Sequence, residues 1–308
     1  METGVRLELH RMLDRYALDE GLNRLLKEFV REKENENLVW SDLTRYVHFM
    51  LGGNSPLIDR AAAVTELVIL LLDIVDDLQD QDNKEKPWMT GDPAVTLNAL
   101  LALFAAAIGE LGGGDPSASS RIGELLANSI HGQQADITRA VRTEEDYFAM
   151  VERKSGSLLQ FACFMGYSLV PLTDAGVRAA IDEWAACVGI VAQIDNDVRD
   201  VQRYDRKNDL LQKKRTLPIL FLLEDSREEC PALDLFYEGA ISEEEFLRSK
   251  IEVLEYVRDS GCIEYCQVIQ SLYIDRAEEL YRSIPAVSPW AERFMELIHP
   301  HSMTSPIV

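Results

Sequence analysis

Residues 65–83 read TELVILLLDIVDDLQDQDN, and the stretch changes character halfway along. Six unbroken aliphatics, Leu67 to Leu72, mark a helix buried on most sides rather than one lying along a surface. Beyond them Asp73, Asp76, Asp77 and Asp80 recur at i, i+3, i+4 and i+7, which puts four carboxylates on one helix face. Asp82 lies off that face if the helix runs on, and reaches it only by curling back at a frayed end. Like charges at this spacing repel and destabilise a helix unless a cation binds them. A chain this acidic produces such a stripe by chance roughly 0.2–0.3 times, so spacing alone decides little. The context is stronger, because carboxylates that continue a core helix point into a cavity. Hard oxygen donors there suit a hard divalent ion such as Mg²⁺.

The pattern occurs a second time. Residues 187–205 read CVGIVAQIDNDVRDVQRYD, where Gln193, Asn196, Asp197 and Asp200 again fall at i, i+3, i+4 and i+7 after an apolar run; Asp195 points elsewhere. Two oxygen-bearing stripes on separate buried helices can face each other across a bundle cavity. Mg²⁺ is seldom held by protein alone and prefers one or two carboxylates plus substrate phosphate, so the pair predicts a polyanionic substrate. Two basic positions fit its remaining oxygens. Lys154, in ERKSGSLLQF, enters an otherwise apolar helix beside Ser155 and Ser157. Lys213 and Lys214 stand at a helix start just before Thr216 and Pro218, where backbone N–H groups favour anions. Either position alone reads as ordinary surface; beside the acidic stripes it reads as a phosphate contact.

The rest of the chain supplies the frame. Apolar residues at three- and four-residue spacing run through segments near 5–33, 38–51, 57–82, 93–111, 117–140, 144–170, 174–204, 214–225, 242–283 and 289–298. Breakers separate them at Gly52-Gly53, Pro87, Gly112 to Pro116, Pro171, Pro231, Pro285 and Pro289. No alternating strand run competes, and no break is long enough for an interdomain linker. Residues 1–308 are therefore expected to form one all-α domain. Lys and Arg number 31 against 53 Asp and Glu, a formal charge of −22, which argues against nucleic acid or an anionic membrane surface as partner. Five cysteines without a CxxC pair read as reduced, cytoplasmic usage. The N-terminus has no apolar signal core. The longest uninterrupted apolar stretch, Ala99 to Ile108, falls short of the roughly twenty residues that span a bilayer, so no transmembrane segment is expected.

Together the motifs resemble those of the trans-isoprenyl diphosphate synthases, the polyprenyl synthetase family. Asp76-Asp77-Leu78-Gln79-Asp80-Gln81-Asp82 satisfies both forms of that family's first aspartate-rich motif, DDxxD and DDxxxxD. Gly132-Gln133-Gln134-Ala135-Asp136 matches GQxxD, and Lys154-Ser155 matches the KT segment. The second motif, QIxDDxxD, reads Gln193-Ile194-Asp195-Asn196-Asp197-Val198-Arg199-Asp200, with Asn196 in place of its first aspartate. Asp209, Lys214, Thr216 and Pro218 match the DxxxxKxTxP tail. The resemblance implies an isoprenoid-synthase helical bundle with a central active-site cavity. There an allylic diphosphate ionises and Mg²⁺, about three ions per site with diphosphate bound, stabilises the leaving group. It implies metal binding by Asp76, Asp77, Asp80 or Asp82, Asn196, Asp197 and Asp200. Diphosphate would fall to Lys154 and Lys214, with Gln133, Ser155 and Gln193 nearby. A homodimer is implied as well.

The departures narrow the expectation. The family's GGKR is Gly52-Gly53-Asn54-Ser55 here, its histidine seven residues before the first aspartate is Ile69, and its RRG is replaced by Asn83-Lys84-Glu85-Lys86. Those are the donors for a second diphosphate, and lysine lacks the bidentate fork of the missing arginines. A site that keeps the donor half and loses the acceptor half resembles one subgroup, the ComQ-type isoprenyltransferases, which modify a tryptophan of a competence-pheromone precursor peptide. DIVDDLQDQDNKEKPWM and GQQADITRAVRTEEDYFAMVERKSGSLL look like that subgroup in wording as well as position. The second motif is fuller than that subgroup's, which keeps open a short-chain prenyl diphosphate synthase using isopentenyl diphosphate through Lys84 and Lys86. A non-catalytic subunit of a heteromeric synthase is a third reading. Terpene cyclisation is a fourth, disfavoured by Tyr204 where its motif needs an acid. Leu71 and Leu72, one turn before the first aspartate, are bulky enough to point to a tail of roughly C10–C15, though such leucines are also ordinary core. Trp40, Trp88, Trp184 and Trp290 read as packing before they read as an acceptor pocket.

Overall fold

The computed structural model describes residues 3–34, 39–81, 83–112, 116–171, 174–203 and 209–298, and every regular element among them is helical. The first group is α1 (Thr3–Tyr16), α2 (Glu20–Glu34), α3 (Val39–Met50), α4 (Ile58–Asp80), α5 (Pro87–Thr90) and α6 (Pro93–Leu111). Next come α7 (Pro116–Ile137), α8 (Glu144–Val151), a π-helical turn over Glu152–Gly156, α9 (Ser157–Tyr167) and α10 (Ala175–Gln202). The last are α11 (Asp209–Gln212), α12 (Leu217–Glu229), α13 (Pro231–Tyr237), α14 (Glu243–Arg248), α15 (Lys250–Asp259), α16 (Cys262–Ser283) and α17 (Trp290–Ile298). Asp82 and Tyr204 lie outside the described residues.

Two of the expected long segments are subdivided. Residues 5–33 break after Tyr16, where Asp19 accepts the Leu22 N–H at 2.8 Å and starts a new helix. Residues 242–283 break at Ser249 and again at Gly261, whose φ of +84° suits glycine. Two prolines taken as breakers are starters: Pro87 and Pro231 open α5 and α13, because the first turn of a helix has no use for the amide that proline lacks. Capping boxes at Thr143 and Ser242 begin α8 and α14.

Helix α4 is the axis of the arrangement. Ile58 and Ala61 through Leu70 are all buried, since the helix is enclosed by α1, α3, α6 and α9. Its apolar half sits in a core with Leu9, Phe29, Leu103 and Phe161. Helix α10 buries Trp184 through Ala192 and packs on α9, α16 and the π turn. Trp184 meets Phe294 of α17 with ring centroids 4.4 Å apart. Each stripe therefore emerges from a desolvated helix at the same end of the bundle.

Helix α6 differs from expectation. By length and composition it is apolar enough to cross a membrane, and a third of it is buried. Thr96 and Asn98 interrupt its apolar run, so a search for unbroken hydrophobicity understates it. Ala99, Leu103 and Ala106 face the core, whereas Leu97, Leu101, Phe104 and Ile108 are more than half exposed. These four positions form one stripe along the outer face.

Candidate active site

A cavity of about 590 Å³ opens at the end of α4 and α10, between those helices, α7, α8, the π turn and the segment before α12. Asp76, Asp77 and Asp80 enter it from α4; Gln193, Asn196, Asp197 and Asp200 enter it from α10. Lys154 and Lys214 reach it from two other elements.

The first stripe is met by ammonium groups. Lys154 Nζ donates to Asp136 Oδ2 at 2.9 Å and stands 3.5 Å from Asp76 Oδ1. Lys214 Nζ donates to Asp80 Oδ2 at 3.3 Å. Burial pushes the Asp76 carboxyl up to about 6, with Asp80 and Asp73 adding to the rise and Lys154 opposing it. At Asp136 burial also works upward, but Lys154 and Lys214 outweigh it and hold the carboxyl below its ordinary range. Both lysines are shifted upward: burial disfavours their charge, and Asp136, Asp76, Asp209 and Asp80 overcome it. They are cations throughout the physiological range.

Not every carboxylate of the stripe shares that role. Asp73 is paired with Lys33 of α2, outside the cavity lining. Asp77 is buried and accepts from Trp88 Nε1 at 2.7 Å and Asn83 Nδ2 at 2.6 Å, so the turn after α4 orients it from outside. Lys86 is committed to Glu32 at 2.9 Å and lies over the Trp88 ring.

In the second stripe the central carboxylate, Asp197, is held by neutral donors, while Asp200 pairs with Arg203 at 3.5 Å. Tyr147 OH donates to Asp197 Oδ2 at 2.6 Å and Gln193 Nε2 to Oδ1 at 2.8 Å. Burial raises Asp197 to about 6 and the two hydrogen bonds oppose it. Asp209, also buried in this wall, is raised well above the carboxylate range by burial and by Asp197.

Lys154 owes its position to backbone packing. The π turn lets the Ser157 N–H reach back five residues to Glu152 O, and Ser129 Oγ of α7 donates to Lys154 O at 3.1 Å. A Cβ on Gly132 of α7 would stand 2.3 Å from Lys154 N, and one on Gly189 of α10 would stand 2.8 Å from Gly156 Cα. Only glycine lets α7 and α10 close on this turn from both sides. On the other lysine, Tyr237 OH donates to Lys214 O at 2.9 Å, while Lys213 turns away to lie 4.2 Å from the Phe236 ring centroid.

The donor set fits a hard divalent ion that arrives with an anion. Asp76 Oδ1 and Thr216 Oγ1 are buried without hydrogen-bond partners, and the carboxylates are hard oxygen donors. Among the described residues no three His, Cys, Asp or Glu side chains converge as a ready cage.

Of the residues singled out from sequence, Gln133, Ser155, Leu71 and Leu72 fall outside the lining. Gln133 Nε2 donates to Gln79 at 3.0 Å, and Ser155 Oγ donates to Gln193 Oε1 at 3.2 Å. Leu71 and Leu72 pack against the cores below the cavity. Sequence reasoning passed over Tyr147 and Arg199 as lining residues, and quoted Asp136 and Asp209 without giving either a role. Tyr147 stands two helical turns before Lys154, which was a legible signal.

Helices arranged this way, with aspartates of two central helices and two lysines around one cavity, define the class: an all-helical isoprenoid-synthase bundle. The chain belongs to the polyprenyl synthetase family, whose model matches residues 33–254, and it is a prenyltransferase. It is similar to the tryptophan prenyltransferase ComQ of Bacillus subtilis subsp. natto (strain BEST195), 28% identical over 283 residues, 91% of this chain and 87% of that one. Among solved structures, a decaprenyl diphosphate synthase from Rhodobacter capsulatus superposes with a TM-score of 0.81 at 15% identity, covering 98% of this chain and 95% of that one. A geranylgeranyl pyrophosphate synthase from Corynebacterium glutamicum, complexed with calcium and isoprenyl diphosphate, gives 0.76 at 19% identity, covering 98% and 95%.

Proposed function

We propose that this prenyltransferase ionises geranyl or farnesyl diphosphate with Mg²⁺ and transfers the prenyl group to the indole of a tryptophan in a pheromone-precursor peptide. The observation that carries the reading is an asymmetry of charge. One diphosphate finds Lys154 and Lys214 across the first stripe, while the positions expected to hold a second have no arginine and keep only the lysines Lys84 and Lys86. Ile69 is fully buried among apolar groups. Lys86 is spent on Glu32 and Trp88. The Gly52 to Ser55 loop is pinned by His48, whose Nε2 accepts the Ser55 N–H at 3.0 Å. An indole needs no such cradle. The likeness to ComQ prenyltransferases supports the same acceptor.

In this reading Asp76, Asp80, Asp197 and Asp200 hold Mg²⁺ with the diphosphate, and Asp77 is oriented by Trp88 beside them. Bound Mg²⁺ supplies charge neutralisation for the departing group; the Corynebacterium glutamicum synthase, complexed with calcium and isoprenyl diphosphate, supports such an ion. As the anion enters, Lys154 exchanges Asp76 for a phosphate oxygen and Lys214 exchanges Asp80, each trading one charge-assisted contact for another. The allylic C–O bond breaks with its electron pair leaving on the diphosphate. The indole then supplies the pair for the new C–C bond, in a pocket that keeps water out, and the cationic ring so formed loses a proton to the departed diphosphate. Five buried, unpaired cysteines support a reducing, cytoplasmic setting.

The test is to incubate the protein with Mg²⁺ and geranyl or farnesyl diphosphate, adding isopentenyl diphosphate in one arm and a tryptophan-bearing peptide in the other. The peptide should gain one prenyl group and isopentenyl diphosphate should give no longer product. Efficient elongation in the first arm would make the protein a synthase instead.

We also propose self-association through α6. The exposed stripe of Leu97, Leu101, Phe104 and Ile108 is an unbroken apolar surface of the kind that marks an interface. Leu101→Lys should convert a dimer to a monomer by light scattering.

A further inference from the structure

The second stripe carries an amide where its pattern calls for a carboxylate, and the amide is already engaged. Asparagine has one atom able to bind a metal ion, Oδ1, and Asn196 Oδ1 accepts from Arg199 Nη2. That bond fixes the amide's orientation, leaving Nδ2 on the buried side, where it has no partner. Arg199 is secured twice more, by Nη2 against Asp195 Oδ2 at 3.1 Å and Nε to the Asp195 carbonyl at 3.3 Å. Its Nη1 has no partner among the described residues, and the side chain lines the same cavity. A divalent ion on Asn196 Oδ1 would have to sit against a guanidinium, cation upon cation. The guanidinium itself presents the planar fork that matches phosphate oxygens.

We propose that Arg199, anchored on Asn196, meets the diphosphate directly and takes the place of one divalent ion at the second stripe. The stripe on α10 then contributes metal binding through Asp197 and Asp200 only, and its remaining positive charge belongs to the protein. This rests on the reading of the cavity as a diphosphate site.

The experiment counts ions rather than turnover. Mn²⁺ binding is followed by electron paramagnetic resonance of the free ion, with inorganic pyrophosphate as the anion. Wild type is compared with Arg199→Gln and with the double variant Asn196→Asp/Arg199→Gln. The double is needed because an aspartate alone would pair with Arg199. The double variant should bind one more Mn²⁺ per site than wild type, and Arg199→Gln should weaken pyrophosphate about tenfold, all with unchanged helicity. Equal Mn²⁺ counts in wild type and double variant would reduce Arg199 to a surface ion pair with Asp195 and overturn the inference alone. No pyrophosphate-dependent Mn²⁺ binding in any of them would overturn the diphosphate site itself.

Discussion

On α4 the carboxylates facing the cavity are balanced by lysines from other elements, Lys154 beside Asp76 and Lys214 beside Asp80. On α10 the central carboxylate is held by uncharged donors, Tyr147 and Gln193, at 2.6 and 2.8 Å. Both Asp76 and Asp197 are raised to about 6 by burial, so the difference lies in the partners and not in the desolvation. An ammonium partner can be handed to a phosphate when one arrives, at little net cost, because the charge stays paired. A buried tyrosine hydroxyl has nowhere else to go. In the proposed reaction the first stripe is therefore the side of the cavity that would exchange partners on binding, whereas Asp197 of the second is already in place.

Isosteric amides give the largest expected effect. Asp76→Asn and Asp197→Asn should each lower turnover on the order of 10³-fold while far-UV circular dichroism stays unchanged. If Asp197→Asn kept full turnover and Asp76→Asn did not, the second stripe would be scaffold and the cavity one-sided. Next comes the packing around Lys154. Gly132→Ala drives a methyl to within 2.3 Å of the Lys154 backbone, and the resulting displacement of the ammonium should reduce kcat/KM about 10²-fold. Gly123→Ala, on the same helix with open space around it, is the control and should leave activity alone.

Much of this was legible in advance, and the limits have physical causes. The i, i+3, i+4, i+7 spacing of both stripes is a local property of one helix, so it survives into the structure at Asp76, Asp80, Asp197 and Asp200. The same spacing brings Asp77 into the cavity lining; that its oxygens also accept from Trp88 and Asn83 depends on the segment after α4, which helical periodicity does not describe. Residues 152–156, ERKSG, look like ordinary helix; the π turn arises from the approach of α7 and α10 at Gly132 and Gly189, a tertiary event. Lys213 and Lys214 are adjacent and chemically alike, and only the backbone between them decides which faces the cavity. With φ at +54°, Lys213 turns to Phe236 and leaves Lys214 to Asp80.

A smaller effect sharpens the contrast between the stripes. Tyr147→Phe removes the hydroxyl from Asp197 and leaves the fully buried ring in place. A hydrogen bond to a charged group contributes about 1.5–3 kcal/mol, so pyrophosphate-linked Mn²⁺ affinity and kcat should fall on the order of tenfold each, with no loss of fold. A change in thermal stability alone, with binding untouched, would assign Tyr147 to the core.

The smallest expected effect on activity is at Glu66, which separates burial from function on α4 itself. Its side chain is buried ten residues before Asp76, takes the Ser41 N–H at 2.6 Å, and is pushed by burial from 4.5 up to about 7. The folded protein thus holds this proton over a range in which the unfolded chain has released it. Stability falls as pH climbs from 4.5 through 7 and stays lowered above. The shift corresponds to about 3 kcal/mol. Glu66→Gln keeps the acceptor for Ser41 and cannot ionise, so it should flatten that slope in urea unfolding series at several pH values and leave turnover unchanged. Asp76→Asn should flatten a similar slope, below about 6, and lower turnover on the order of 10³-fold. Burial raises both carboxyls on one helix, and only at the one that meets Lys154 and the cavity should the amide cost turnover.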